Sequence, residues 1–430
     1  MVRLYLGVFE DDEYKNFLPL TYTRPVYELK TGFFTLLERY KWFLQPEKIF
    51  LFTRDYLTNV LRRKLKHPGC HVNEVDSIDN DILMVNGRLL DLKLLTPILK
   101  GETDALLTEN EVLAVKVKAE KVEEAVPKLA RTTSSASQVT VVKRLFKRVI
   151  TVKDHDATVH YPWELVNLNF AYIKHDYEVV VKKKSHDVPD GVILRGNPEM
   201  VYIAQTAEIE PTVIIDARKG PVYIDEQVKV FAPARIEGPC FIGEKTEVFN
   251  AQIRPGCHVG PDCRVGGELT SSIIHGFSNK RHESFMGRAY IGEWVNIGAL
   301  TSNSDLKNTY GTVKVVVSGV KVDTGLRKVG CFIGDHAKTA IGTFIYTGKK
   351  IGVHSHVHGY VIEDVPSFTL YMRFAGRQPV ELYLDSVIKI QKRVFERRGV
   401  KQTREDVELI KYLFKITEEE RRRAGVTGKP

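Results

Sequence analysis

The sequence predicts an α/β domain followed by a parallel β-helix and closed by a helical tail. Three observations predict it. Short apolar runs alternate with amphipathic stretches through about residue 182. Between about 199 and 370, aliphatic residues recur at every sixth position. From 371 the apolar spacing turns helical. The expected boundaries are 1–182, a linker at 183–198, a coil at 199–370 and helices at 371–430.

In the first part, "RLYLGVF", "KIFLFTR", "DILMVNG" and "EVLAVKVK" read as strands. "TGFFTLLERYKWFL", "DYLTNVLRRKLK" and "EKVEEAVPKLAR" read as helices. That alternation implies a mainly parallel sheet with helices packed on it. "TTSSASQ", Thr132 to Gln138, reads as a loop by composition. "KKKSHDVPDG", Lys182 to Gly191, is charged, holds Pro and Gly, and has no periodicity, so it reads as the linker.

In the second part, Ile203, Ile209 and Ile215 are six apart, as are Ile224, Val230, Ile236, Ile242 and Val248. Val259 and Val265 continue in a shifted frame, then Ile291 and Ile297, then Ile333, Thr339, Ile345, Ile351 and Val357. A period of six fits neither one helix nor one strand; it is a repeat. The physical reading is a coil of short flat strands joined by turns, with one apolar residue per hexad pointing into a narrow prism. Each buried Ile or Val stabilises by roughly 1.5–3 kcal/mol. Compact residues stand four places on, among them Ala207, Cys240, Cys263 and Ala337, where the prism leaves little room.

In the tail, Leu384, Val387, Ile388, Val394 and Phe395 trace one face, with Gln391 among them. "TRED" and "TEEE" read as helix starts, the second as a capping box. The tail reads as a packing appendage on the coil.

Bulk properties bound the function. The chain has 430 residues, 43% hydrophobic and 27% charged, and a net charge of +9. The charge suits anionic partners such as phosphates, nucleotides or coenzyme A. Lys and Arg are scattered, and no zinc-finger or RNP pattern occurs, which argues against nucleic acid. No apolar run approaches a membrane span. The acidic turn in "MVRLYLGVFEDDEY" does not fit a signal peptide, so a cytoplasmic location is expected. The five cysteines form no CxxC pair and read as reduced thiols.

The whole chain resembles the GlmU-like bifunctional sugar-nucleotide enzymes, particularly a divergent branch found in bacteria and archaea. The segments that carry the resemblance are "LPLTYTRPVYELKTG", "GPVYI", "SNKRH", "IGEWVNIGA", "NSDLKNTYG" and "IGDHAK". The resemblance implies a nucleotidyltransferase-like (Rossmann-like) α/β domain joined to a left-handed β-helix of hexapeptide repeats. It implies acetyl transfer from acetyl-CoA to an amino-sugar 1-phosphate at the coil. It implies nucleotidyl transfer from UTP or dTTP to a sugar 1-phosphate in the first domain, with Mg²⁺. It also implies a homotrimer with sites between neighbouring coils. A non-enzymatic hexapeptide scaffold, or an acetyltransferase with a non-catalytic first domain, is the alternative.

By the same resemblance, His282, fourteen residues before Asn296, stands where the family has its general base. Arg254 in "RPG" matches an arginine that binds the sugar phosphate. Asn303 and Asp305 approximate a segment that lines the acceptor site. Ala299 falls where the coil meets the acetyl-CoA arm. Phe285 replaces the family's tyrosine, and Lys280 and Arg281 are candidates for a missing phosphate-binding lysine. An imidazole takes up a proton near neutral pH, as deprotonation of an attacking amine requires. Glu283 or Asp305 is a candidate to orient the ring. N–H groups of the Gly-containing turns are candidates for the oxyanion.

The first domain departs further from the family. Where a glycine-rich phosphate loop is usual, the chain reads "FEDDEYKNFLPLTYTRP", and Arg88 replaces a metal-binding aspartate. Thr21, Thr23, Arg24 and Lys30 are candidate nucleotide contacts. Asp11, Asp12 and Asn169 (or Asn167) are candidate metal ligands, with an acidic turn and a packed strand as the plain reading of the aspartates. "GVHSHVHG" places His354, His356 and His358 at alternate positions, which invites a metal reading. The hexad frame splits them across a turn, which favours surface or subunit-contact histidines. "GTFIYTGKK" has five residues between its glycines and lacks the final Ser or Thr, so it is not a P-loop.

Overall fold

The structure is a computed structural model that describes residues 4–65, 69–130, 133–153, 157–181, 188–373, 377–426 and 428. The chain divides into two compact units. The first holds residues 1–17, 23–29 and 34–161; the second holds 18–22, 30–33 and 162–430. The boundary thus falls at Tyr161/Pro162 rather than 182, because helix Pro162–Val180 belongs with the coil. Its Trp163 ring lies 6.2 Å from Phe332, and Asn169 Nδ2 donates to the Gly256 carbonyl at 2.8 Å.

The first unit is a seven-stranded sheet. Its order is Cys70–Val72, Lys48–Phe52, Tyr5–Phe9, Ile82–Asn86, Val112–Val117, Ala105–Leu107, Val149–Thr151. Val112–Val117 runs antiparallel to both neighbours. Tyr5–Phe9 and Ile82–Asn86 are buried along their whole length, as central strands covered on both faces must be. Helix Leu36–Leu44 starts at a capping box, with Thr35 and Glu38 satisfying each other's backbone N–H. The segment read as the loop Thr132–Gln138 is mostly helix: Ser134 caps Ser135–Leu145. Residues 131–132 lie outside the described residues. Ser at an N-cap replaces the first missing helical bond, so a Ser-rich run can open a helix as well as fill a loop.

The second unit is a parallel β-helix with three faces. On one, Ile203, Ile224, Ile242, Val259, Ile274, Ile291, Ile333 and Ile351 stand in register. On another, Ile215, Ile236, Ile253, Leu269 and Met286 do. On the third, Ile209, Val230, Val248 and Val265 are followed by Lys280. Nearly all these aliphatic side chains are sealed from solvent. The coil begins inside the expected linker, since Ile193–Arg195 pairs with Ile214–Asp216. Residues 182–187 of that linker lie outside the described residues.

One corner of the coil carries an aromatic ladder. Phe277, Trp294, His336, His354 and Phe368 occupy successive turns, all with φ between 58 and 62°. Phe277 stacks on Trp294 at 4.3 Å and His336 on His354 at 4.5 Å. The tail packs on this ladder. Phe395 of helix Leu384–Glu396 lies 4.5 Å from Trp294, and Phe414 of helix Arg404–Ile416 lies 5.3 Å from Phe368. A capping box forms at "TRED", between Thr403 and Asp406. It does not form at "TEEE", where the Thr417 hydroxyl donates back to the Leu413 carbonyl at 2.7 Å. No helix among the described residues is long and apolar enough to cross a membrane.

Candidate active site

A groove in the second unit runs along the third coil face, with a volume of about 700 Å³. Its floor is one ladder of outward side chains: Arg264 pairs with Asn279, Asn279 with Asn296, and Asn296 with Lys338. The groove is also lined by His282, Arg281, Ala299 and Ile341 of the coil and by Val394, Arg397 and Arg398 of the tail.

The floor is basic. Arg264 is paired with Glu247 at 3.0 Å. Lys338, its Nζ donating to the His336 carbonyl at 2.9 Å, is pushed down to about 8 by burial. Arg281 lies 4.1 Å above the Phe249 ring, a cation–π contact. Arg398 donates to Asn279 Oδ1 at 2.8 Å. A concave surface lined by cations raises the local concentration of anionic ligands.

The groove therefore collects Arg281, His282, Asn296 and Ala299 of the residues singled out in the sequence. It does not collect the others, and each has another task. Lys280 is buried, its Nζ donating to the carbonyls of Gly266 at 2.6 Å, Ser284 at 3.0 Å and His282 at 3.3 Å. That corrects its reading as a phosphate contact. Arg254 pairs with Glu237 at 2.7 Å and Glu268 at 3.4 Å. Asn303 is a polar plug: its side chain accepts from Gly287 N at 2.8 Å and donates to Gly287 O at 2.9 Å. Asp305 accepts from Arg288 at 2.8 Å, and Glu283 from Asn250 at 3.1 Å, so neither is committed to the imidazole. Of the turn N–H groups, Gly298 donates to Thr339 Oγ1 at 2.9 Å and Leu300 to the Glu283 carbonyl at 3.0 Å.

Sequence reasoning missed Asn279, Lys338, Arg397 and Arg398. Lys338 is the outward neighbour of the hexad position Thr339, which the frame could have identified, whereas Asn279 precedes Lys280, where the six-residue frame is interrupted. The two tail arginines follow the apolar stripe as "ERRG", but nothing in a one-dimensional pattern says which coil turn that helix end meets.

The first unit gives a different picture for the metal candidates. Arg88 Nε donates to Asp11 Oδ1 at 3.0 Å and Nη2 to Oδ2 at 2.6 Å, and Asn86 Nδ2 adds 2.9 Å to Oδ2. Burial alone would raise the Asp11 carboxyl, but the Arg88 charge and these hydrogen bonds hold it below the usual carboxylate range. Both oxygens are engaged by fixed cationic and amide donors, so this set does not fit Mg²⁺. Asp12 faces Lys15 at 3.7 Å. Asn169, in the second unit, accepts from Gly32 N at 2.8 Å and donates to the Gly256 carbonyl at 2.8 Å, so both ends of its carboxamide are engaged. Thr23 and Arg24 fall in the first unit, Thr21 and Lys30 in the second. Of these candidate nucleotide contacts, Thr21 and Arg24 are buried. His354 belongs to the aromatic ladder and His356 and His358 to the next strand and turn. Among the described residues no group of His, Cys, Asp or Glu is arranged to hold a metal.

The chain thus holds two classes of unit, a mixed α/β sheet domain and a parallel β-helix of six-residue repeats that carries a largely basic groove. Residues 6–185 match the family described as sugar nucleotidyl transferase. A "Bifunctional sugar-1-phosphate nucleotidylyltransferase/acetyltransferase" of Sulfurisphaera tokodaii is 34% identical over 213 residues, 49% of this chain and 47% of that one. A "Bifunctional protein GlmU" of Rippkaea orientalis is 30% identical over 154 residues, 30% of this chain and 34% of its own. The chain thus spans about half the length, or less, of the curated relatives it matches. LpxA of Acinetobacter baumannii is similar at 16% identity and a TM-score of 0.29, covering 56% of this chain and 94% of its own, too slight a likeness to argue from. By these matches the chain is similar to GlmU-like proteins over half its length or less, and to the sugar nucleotidyl transferase family over residues 6–185.

Proposed function

We propose that the groove transfers an acetyl group from acetyl-CoA to the amine of an amino-sugar 1-phosphate. The observation that carries the reading is that His282 lines a groove whose other charged lining is mainly cationic. His282 takes a proton as the amine attacks the thioester carbonyl. The C–N bond forms, the tetrahedral oxyanion collapses, the C–S bond breaks, and the proton passes to the departing coenzyme A thiolate. The Asn296 carboxamide is our candidate donor for the oxyanion. Arg281, Arg397 and Arg398 face the substrate phosphates, with Ala299 and Ile341 along the acetyl-CoA arm.

The acting species in this reading is a homotrimer. Ile341, Phe344, Tyr346, Tyr360 and Ile362 are 43–78% exposed and lie on one run of the coil surface. Phe344 and Tyr360 stack at 5.5 Å. A contiguous apolar surface of this kind supports a subunit contact, and Ile341 joins it to the groove.

For the first unit we propose nucleotidyl transfer from UTP or dTTP to a sugar 1-phosphate, supported by the family match over 6–185. The aspartates expected to hold Mg²⁺ are engaged elsewhere, Asp11 by Arg88 and Asp12 by Lys15.

The test is free-thiol release from acetyl-CoA with glucosamine 1-phosphate and related amino sugars. His282→Ala is expected to lower kcat by roughly 10²–10⁴ with the fold intact. Absence of thiol release across these acceptors would leave a scaffold instead. Pyrophosphate release from UTP and N-acetylglucosamine 1-phosphate tests the first unit separately.

A further inference from the structure

We propose that Lys280 is a positioning residue: its buried ammonium, seated on the coil axis in line with aliphatic plugs, sets the loop Arg281–Ser284 and with it the place of the His282 ring. The inference rests on the acyl-transfer reading of His282.

Lys280 stands in register with Val265 of the preceding coil, and through the Asn279–Asn296 bridge it is followed by Ile297. It is 2% exposed. A lysine at such a site costs desolvation unless its donors are used. Here the three N–H groups have three carbonyls within reach, those of Gly266, His282 and Ser284. Two of the three belong to the loop that carries the imidazole.

The neighbouring corner explains why these carbonyls face the axis. From Val265 to Leu269 the turn is four residues, through Gly266 and Gly267, whereas Lys280 to Met286 spans six. A Cβ on Gly266 would strike the Arg281 carbonyl oxygen. A Cβ on Gly267, where φ is +64°, would lie 2.7 Å from Ser284 N and 2.9 Å from Lys280 Nζ. The glycine pair leaves the space that the ammonium and the longer loop fill. The rest of the loop is held from outside: Leu300 N donates to the Glu283 carbonyl at 3.0 Å and Glu268 N to the Ser284 carbonyl at 2.9 Å. The His282 carbonyl accepts from Lys280 Nζ, and more distantly from Ser284 Oγ at 3.5 Å. Burial pulls the ammonium down to about 8, opposed by Glu283 and Glu268, so it remains mainly charged at neutral pH.

The test is Lys280→Met in the full chain, an apolar plug of similar length. Hydrogen exchange by mass spectrometry reads the segment 281–285, and acetyl-transfer kinetics read the consequence. Exchange in that segment is expected to speed up about tenfold or more, the scale of lost charge-assisted hydrogen bonds. kcat should fall by a similar factor, the KM for acetyl-CoA staying within about twofold, and the pH profile of kcat/KM should shift. Gly267→Ala, which crowds the same Nζ, should change exchange in the same segment. Unchanged exchange at 281–285 in Lys280→Met overturns the proposal, as does faster exchange spread evenly over the coil. His282→Ala with unchanged kcat would remove the base assignment itself, leaving the exchange result to decide what holds the loop.

Discussion

Arg398, beyond the last turn of helix Leu384–Glu396, donates to Asn279 Oδ1 at 2.8 Å and so ties the tail to the strand that leads into His282. The tail is therefore more than an appendage on the coil: it forms one wall of the candidate site. Phe395 against Trp294 and Gln391 against His336, at 3.2 Å, hold the same helix down.

Removing the positive charges of that wall should weaken substrate binding. Arg397→Ala and Arg398→Ala are each expected to raise the KM for acetyl-CoA by about tenfold, the loss of one charge-assisted hydrogen bond, with a smaller change in kcat. Steady-state kinetics at two salt concentrations check this. An unchanged KM in the double variant would place the coenzyme elsewhere.

The Arg88 cluster makes a prediction about the first unit. Arg88 is fully buried and bonded to both Asp11 and Glu111, the latter at 2.8 Å. Arg88→Met strands two buried carboxylates and should cost about 3–5 kcal/mol, read as a lower Tm. Asp11→Asn should also destabilise the unit, yet leave the metal dependence of any pyrophosphate release as it was. A changed Mg²⁺ requirement in Asp11→Asn would restore that aspartate as a ligand.

Acid should loosen the end of the coil. Burial pushes the His356 imidazole down to about 4, helped by the charges of Lys338 and His358, and burial also lowers His354. The fold keeps these rings neutral where the unfolded chain would protonate them. Above about pH 6.5 they cost nothing. As pH falls from 6.5 towards 4, the unfolded state binds more protons and stability drops, for His356 by about 3 kcal/mol in all. His356→Gln should flatten the slope of Tm against pH in that window. Identical slopes for the two proteins would contradict the assignment.

The apolar run on the coil surface should be a subunit contact. Tyr360→Lys with Ile362→Asp places charges among residues that are each 58% exposed in the isolated chain. Sedimentation is expected to show monomer in place of trimer, and thiol release should fall with it. A variant that stays trimeric would move the contact to another face.

What the sequence determined by itself was the architecture. A buried aliphatic at every sixth position is readable because the three-faced coil repeats the same environment every hexad, so local pattern and tertiary contact coincide. Ile224, Val230 and Ile236 show this, each fully or almost fully buried at its place on a different face. The corner at Gly266–Gly267 was not legible, because a shortened turn shows only when the coils are stacked. For the same reason Lys280 reads in sequence as an open cation and is in fact an axial plug. Asp11 reads as a metal ligand until Arg88, 77 residues away, is seen across it. The site was half legible: His282, Arg281, Asn296 and Ala299 lie near one another in the chain. The tail arginines come from more than a hundred residues further on, and which cations share a groove is decided by packing, as Phe395 settles on the aromatic ladder, rather than by any period in the sequence.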